Sequence, residues 1–297
     1  MTRFAALFLC ALLPFAAGAA EKHAKARLTK APAVADVTRD GTPNLMSTGV
    51  LVFDPATGHT LFSKNADQAA PIASITKLMT AMVVIDAKLA MDEAIEISSE
   101  DVDTIKNTRS RLPVGTHFRR DDLLRLALMA SDNRAASALG RNFPGGVPAF
   151  VAAMNGKAKA LGLTQTHYVD SSGLSPGNVS TPADLGKLVA VATAYELIRE
   201  YTTTGAVNVK LPDSKRTLHF VNTNTLVRSS DWKIGLSKTG YINEAGKCLV
   251  MQAVIANQPI VIVLLDSWGR LTRVGDANRI RRWLEKNPSL LATLRQG

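Results

Sequence analysis

The chain has 297 residues, of which 46% are hydrophobic, 20% charged and 5% aromatic. That balance excludes a disordered chain and a collagen-like one, and no run of about 18 apolar residues occurs in its body, which excludes a polytopic membrane protein. Thirty-five Lys and Arg against 25 Asp and Glu give a formal charge of +10, which favours nucleic acid, anionic lipid or an acidic polymer without choosing among them.

Residues 1–19 read as a secretory signal peptide. Arg3 is a short basic start, Phe4 to Leu13 is apolar, Pro14 breaks the run, and Ala17-Gly18-Ala19 supplies small residues for cleavage. The apolar stretch is short for an uncleaved membrane anchor. Export to the periplasm removes nucleic acid from the expected partners. Cys10 leaves with the peptide, so Cys248 remains alone and no intramolecular disulfide forms. Inside the apolar run Cys248-Leu249-Val250-Met251 it reads as a small core residue. Residues 20–44 are Ala/Lys-rich and Pro-dotted, a flexible leader.

A domain then spans 45–288. Thr48–Phe53 and His59–Lys64 flank the turn-rich Asp54–Gly58 and predict a hairpin. A helix follows over Ser74–Leu89. The middle is helical: Asp121–Ala130, Arg134–Asn142, Val147–Leu161 and Pro182–Tyr201. From about 207 the pattern turns to strands, with Lys233–Lys238, Lys247–Ala256 and Ile260–Ser267 carrying β-branched and apolar runs. A helix over Thr272–Lys286 ends before Pro288, and 289–297 is a short tail. Strands at both chain ends with helices between predict an α+β fold. One antiparallel sheet is built from both ends and flanked by helices, with a mostly helical subdomain inserted at about 95–205.

On the Ser74 helix, Ile75, Leu78, Met79, Met82, Ile85 and Leu89 form one stripe, and Val83 and Val84 are apolar on other sides. Such a helix is buried. Ser74 and Lys77 are three residues apart, about 60° around the helix, so their side chains can touch. Burial lowers a lysine pKa, and a neutral amine beside a hydroxyl is a general base beside a nucleophile. Taken alone, the pair also fits a capping serine and a snorkelling lysine. Ser-x-x-Lys occurs again at Ser230-Asp231-Trp232-Lys233. Ser131-Asp132-Asn133 falls between two helices, where a loop can aim a hydroxyl and an amide into a cleft. Lys238-Thr239-Gly240 ends a predicted strand. A lysine and a threonine there can bind a carboxylate, and glycine lets a ligand approach the backbone.

In this order, and in these contexts, the three motifs resemble the superfamily of β-lactamases and penicillin-binding proteins. The resemblance runs from about Leu45 to Lys286, and Asn222-Thr223-Asn224 and the Gly235–Gly240 stretch also look similar. It implies a β-lactamase/D,D-peptidase-like fold. A class A β-lactamase needs a glutamate between the second and third motifs to activate water. Only Glu196 and Glu200 lie there, in no matching motif. The chain therefore resembles a low-molecular-mass penicillin-binding protein. Eleven residues follow Lys286, too few for the β domain and anchoring helix of D-alanyl-D-alanine carboxypeptidases. That implies the endopeptidase type, which cuts D-Ala–diaminopimelate cross-links.

The resemblance implies these roles. Ser74 is the nucleophile. Lys77, kept neutral by burial and nearby positive charge, is the base. Ser131 relays a proton to the leaving amine. Asn133 holds Lys77 and the substrate amide. Lys238 adds positive potential, Thr239 and Gly240 sit at the substrate carboxylate and backbone, and the N–H groups of Ser74 and Tyr241 form the oxyanion hole. Peptidoglycan stem peptides are the partners and β-lactams the covalent inhibitors. No cofactor is implied, and the five histidines lack metal-ligand spacing. Arginines cluster at 109–125 and at 270–282, either as a solvated surface or for loose wall or membrane association. Carboxypeptidase, β-lactamase and non-catalytic penicillin sensor are the alternatives.

Overall fold

The computed structural model describes residues 35–211, 215–269 and 271–292. The expected signal peptide and the first part of the expected leader lie outside the described residues. The main elements, in chain order, begin with strands β1 (Ser47–Phe53) and β2 (Thr60–Lys64). Helices α1 (Lys77–Asp86), α2 (Arg120–Met129), α3 (Asn133–Arg141), α4 (Gly146–Ala160), α5 (Pro182–Ala192) and α6 (Glu196–Thr203) follow. Strands β3 (Lys233–Ile242), β4 (Gly246–Ile255) and β5 (Gln258–Ser267) and helix α7 (Thr272–Lys286) complete them. Short paired segments lie between; one ribbon joins Ala206–Lys210 to Thr217–Val221.

The five strands form one antiparallel sheet in the order β2-β1-β5-β4-β3. The first hairpin docks on the last strand, with Val50 opposite Leu264 and Val52 opposite Ile262. The fold is α+β, with a sheet drawn from both chain ends and helices inserted between, as the strand pattern predicts. The strands read as continuous apolar runs because both faces are covered. Val50, Val52, Leu249, Met251, Ile262 and Leu264 pack with Ala277, Ile280 and Leu284 of α7. Leu51, Val250, Val261, Val263 and Leu265 pack with the helical layer. Each such side chain, fully buried, contributes about 1.5–3 kcal/mol. Residues 35–44 form a bridged turn on α7, where Trp283 Nε1 donates to Gly41 O at 3.0 Å and Arg282 pairs with Asp36 at 2.5 Å.

Three boundaries differ from the sequence pattern. Ser74 sits in a 3₁₀ turn, Ala73–Thr76, and the α-helix proper begins at Lys77 and ends at Asp86. The expected Pro182–Tyr201 helix is two helices, because Tyr195 is extended and Glu196 opens a new first turn, where a carboxylate suits the helix dipole. Lys238-Thr239-Gly240 lies inside β3 rather than at its end, since the β3–β4 ladder runs on to Ile242 and Gly246.

Candidate active site

The turn that carries Ser74 is held from below. Ala73 adopts φ +46°, a conformation that disfavours any side chain. The segment 170–178 passes beneath it. Ile72 N–H donates to Asn178 O at 3.0 Å. Asn178 Nδ2 donates to Thr76 Oγ1 at 2.9 Å, and Thr76 Oγ1 donates to Ala73 O at 2.8 Å. Gly173 has φ +81°, and a Cβ there would lie 2.0 Å from Ala73 O. Only glycine fits. Asp170 folds this segment: its carboxylate accepts the N–H groups of Ser172 (2.6 Å), Gly173 (2.5 Å) and Ser175 (2.9 Å) and the Ser172 hydroxyl (2.9 Å).

Lys77 is fully buried. Its Nζ lies 2.8 Å from Ser74 Oγ, 2.7 Å from Asn133 Oδ1 and 2.6 Å from Ser172 O. Two of these partners are carbonyl oxygens, which only accept. They take two N–H bonds. The third position points at Ser74, as an N–H when the amine is charged and as a lone pair when it is neutral. Burial brings the pKa of Lys77 down from 10.5 to about 8, against the pull of Asp170, Asp132 and Asp103. Burial is what lowers it and the nearby carboxylates temper that fall, while Lys77 in turn helps to lower the pKa of the neighbouring Lys238.

The amide of Asn133 is oriented by a chain of bonds. Thr108 Oγ1 donates to Asp103 Oδ2 at 2.6 Å, so its oxygen accepts Asn133 Nδ2 at 2.8 Å. Oδ1 is thereby turned to Lys77. Asp103 in turn accepts the N–H groups of Ile105, Lys106 and Thr108. Asp132 caps α3, accepting Ala135 N–H at 3.0 Å. Ser131, at φ +58°, turns the chain between α2 and α3. It bonds Lys238 rather than Lys77: Lys238 Nζ donates to Ser131 Oγ at 2.8 Å and to Thr239 O at 3.0 Å.

β3 is an edge strand and forms the opposite wall. Lys238 is buried, and burial, Lys77 and Arg273 all push its pKa well down. Thr239 Oγ1 donates to Thr223 Oγ1 at 2.7 Å, and Asn224 Nδ2 to Ser237 Oγ at 2.8 Å, so Asn222-Thr223-Asn224 braces the strand. Gly240 is also required by the chain itself. A Cβ there would meet Ile72 O at 2.9 Å, Ala73 Cβ at 3.2 Å and Ser74 N at 3.3 Å. The close approach is by the chain's own Ser74 turn, which sets Ser74 N beside the strand. The Tyr241 side chain is exposed, with Lys247 Nζ 3.8 Å from its ring centroid.

Of the eight sequence-predicted residues, Ser74, Lys77 and Asn133 are bonded together, Ser131 bonds Lys238, and Gly240 abuts the Ser74 turn beside Thr239, whereas the Tyr241 side chain lines a separate hollow with Lys247 and Trp268. The second Ser-x-x-Lys, with Ser230 and Lys233 exposed, lies on the surface. The family described as D-alanyl-D-alanine carboxypeptidase matches residues 36–268. The chain belongs to this family of serine D,D-peptidases. It is 48% identical over 241 residues (81% of this chain, 78% of the relative) to a D-alanyl-D-alanine endopeptidase of Pseudomonas aeruginosa. It is 42% identical to one of Escherichia coli, over 94% of this chain and 86% of that one. A Streptomyces DD-transpeptidase shares the fold with a TM-score of 0.76 at 31% identity, over 81% of this chain and 97% of that one. A penicillin-binding protein of Listeria monocytogenes, solved with ampicillin bound, gives 0.69 at 29%, over 82% and 99%.

Within this D,D-peptidase the glutamates of the expected gap are elsewhere. Glu196 and Glu200 are exposed on α6, and Glu200 pairs with Arg125. Asp170 is the carboxylate in the segment beneath Ser74, and it is occupied by its own backbone. Cys248 is buried with its thiol pushed up to about 11 by burial, a core residue as expected. Among the described residues no group of three His, Cys, Asp or Glu could hold a metal ion, and no helix is long and apolar enough to cross a membrane. Sequence reasoning missed Thr108 and Asp103, whose signal was a bare Asp-x4-Thr in a loop. It also missed the Ser172 carbonyl, which no side chain announces, and Arg273, which donates to Gly240 O and Cys248 O from α7.

Proposed function

We propose that this D,D-peptidase is an endopeptidase that hydrolyses D-alanyl cross-links between peptidoglycan stems, in the periplasm, after export on residues 1–19. The observation that carries the chemistry is the set of three partners around Lys77 Nζ, which leaves Ser74 as the one group its lone pair can serve. Ser74 Oγ attacks the D-alanyl carbonyl and its proton passes to Lys77. The backbone N–H groups of Ser74 and Tyr241 hold the oxyanion, each worth roughly 3–4 kcal/mol. Ser131 Oγ accepts from Lys238, so its own O–H can protonate the leaving nitrogen while the Lys238 ammonium refills Ser131, and Lys77 passes the Ser74 proton to solvent before water attacks the ester. Asn133 also takes the substrate amide. Thr239 and Lys238 read the carboxylate beside the leaving nitrogen, and that anion restores the proton on Lys238. Water then cleaves the ester. β-Lactams acylate Ser74 and stay, because the glutamate that would activate water for deacylation is missing between the second and third motifs.

Two relatives named D-alanyl-D-alanine endopeptidase support the cross-link as substrate. The family description favours a second activity, D-alanyl-D-alanine carboxypeptidase, since a terminal D-Ala presents the same carboxylate. Mass spectrometry of digested muropeptide dimers and free pentapeptides separates the two. Dimers are expected to become monomers. Trimmed pentapeptides beside intact dimers would overturn the endopeptidase reading. Covalent penicillin labelling is expected to vanish in Ser74→Ala.

A further inference from the structure

The arginine cluster at 109–125 divides in the folded chain. Arg120 is buried against Glu93. Arg125 lies between Asp121, Glu200 and the Tyr201 ring. Arg119 is exposed at the start of α2. Arg109 and Arg111 instead line a hollow of about 140 Å³ that shares Ser131 and Asn133 with the catalytic cleft and is closed by Phe220.

Ser131 fixes which side of the cleft this is. Its hydroxyl serves the leaving nitrogen, and Thr239 serves the carboxylate next to it. Thr239 contacts Thr223, three residues beyond Phe220. A leaving group larger than one amino acid therefore continues between Ser131 and Phe220, into the hollow.

The hollow is built for an anion. The Arg111 guanidinium lies 3.8 Å from the Phe220 ring centroid and donates through Nη1 to His219 O at 2.5 Å. Stacking and that bond hold the planar fork in place while other N–H groups remain to bind. No ion pair ties Arg109 or Arg111 among the described residues. The one acid in the lining, Asp132, is engaged by Ala135 N–H and the Ser110 hydroxyl.

We propose that Arg109 and Arg111 form a subsite for a carboxylate of the second stem peptide, the one whose amine leaves. This rests on the endopeptidase reading. A departing terminal D-Ala brings one carboxylate, which Thr239 holds. A cross-linked stem brings more, and the arginines bind one of them. They therefore determine preference for cross-links over free pentapeptides.

The test compares kcat/KM for a cross-linked muropeptide dimer and for a free pentapeptide, in low and high salt. The variants are Arg109→Gln, Arg111→Gln, the double variant and Arg111→Lys, with Arg119→Gln as the control from the same cluster. Two exposed carboxylate contacts predict that the dimer-to-pentapeptide ratio falls up to about tenfold in the double variant, through KM, with loss of its salt dependence. Arg111→Lys is expected between the two, and Arg119→Gln at the unmodified ratio. An unchanged ratio in the double variant would overturn the subsite while leaving the endopeptidase reading intact. A parallel fall on both substrates would overturn it too, as damage at Ser131. An unmodified enzyme that trims pentapeptides and ignores dimers would remove both.

Discussion

The two walls of the cleft hold the same kind of residue, a buried lysine, by opposite means. Lys238 sits on a strand whose backbone is fixed by the β3–β4 ladder, and its charged neighbours are cations, Lys77 and Arg273. Lys77 starts a helix, and its surroundings are loops. Three backbone positions around it are left-handed: Ala73, Ser131 and Gly173. The carboxylates of Asp170, Asp132 and Asp103 hold those loops and temper the loss of charge on Lys77. A ladder places a side chain at no cost in strain. A constellation that must take a proton and return it needs irregular backbone, held in place by side chains.

The sharpest test of this difference is removal of each amine. A general base contributes about 10²–10⁴-fold, so Lys77→Ala should slow acylation by labelled penicillin about 10³-fold. Lys238→Ala, which removes an electrostatic group and the support of Ser131, should cost about 10²-fold. Equal or reversed losses would break the distinction between the walls. The glycines come next. Gly173→Ala puts a Cβ 2.0 Å from a carbonyl oxygen at φ +81°, and should lower stability by about 3 kcal/mol in thermal unfolding. Gly240→Ala meets its nearest atom at 2.9 Å with an ordinary strand φ, and should cost about 1–2 kcal/mol.

How much of each wall could be read from the sequence follows from the same contrast. The sheet was legible because its strands are continuous apolar runs, and Lys238-Thr239-Gly240 could be placed on one. Ser74 and Lys77 were legible because three residues on a helix turn bring side chains together, although the turn is 3₁₀. Ser131-Asp132-Asn133 was legible as a linker between helices. What could not be read were groups acting through backbone or through distant loops. The Ser172 carbonyl carries no residue signature. The contact between Asn133 and Thr108 spans 25 residues, a loop and the whole of α2. The role of Gly240 depends on a turn, Ile72–Ser74, that lies at least 166 residues earlier in the chain. The sign of the charge around Lys77 also required the fold, since Asp170 and Asp103 flank no motif.

The pH profile tests the loop wall without a mutation. The neutral amine is the competent base, and its pKa is lowered from 10.5 to about 8. Acylation should therefore rise with pH, about tenfold per unit well below 8, and level off above it. A limb centred near 10 would mean that burial does not set the charge on Lys77.

The smallest effect separates orientation from mere packing. In Thr108→Val the shape is kept, but Asn133 Nδ2 loses its acceptor and Asp103 loses one of four donors. The other three remain, so the loop should stay folded. The amide is then free to turn, and Oδ1 no longer faces Lys77 all the time. One hydrogen bond to a charged group is at stake, so the plateau rate of acylation should fall about fivefold. The limb should move as well. Losing an acceptor disfavours the ammonium form, which lowers the pKa of Lys77 and carries the limb to lower pH. A loosened cleft would lower the plateau and leave the limb where it was. A lower plateau with a limb shifted below 8 is the signature of an amide held in one orientation by Thr108.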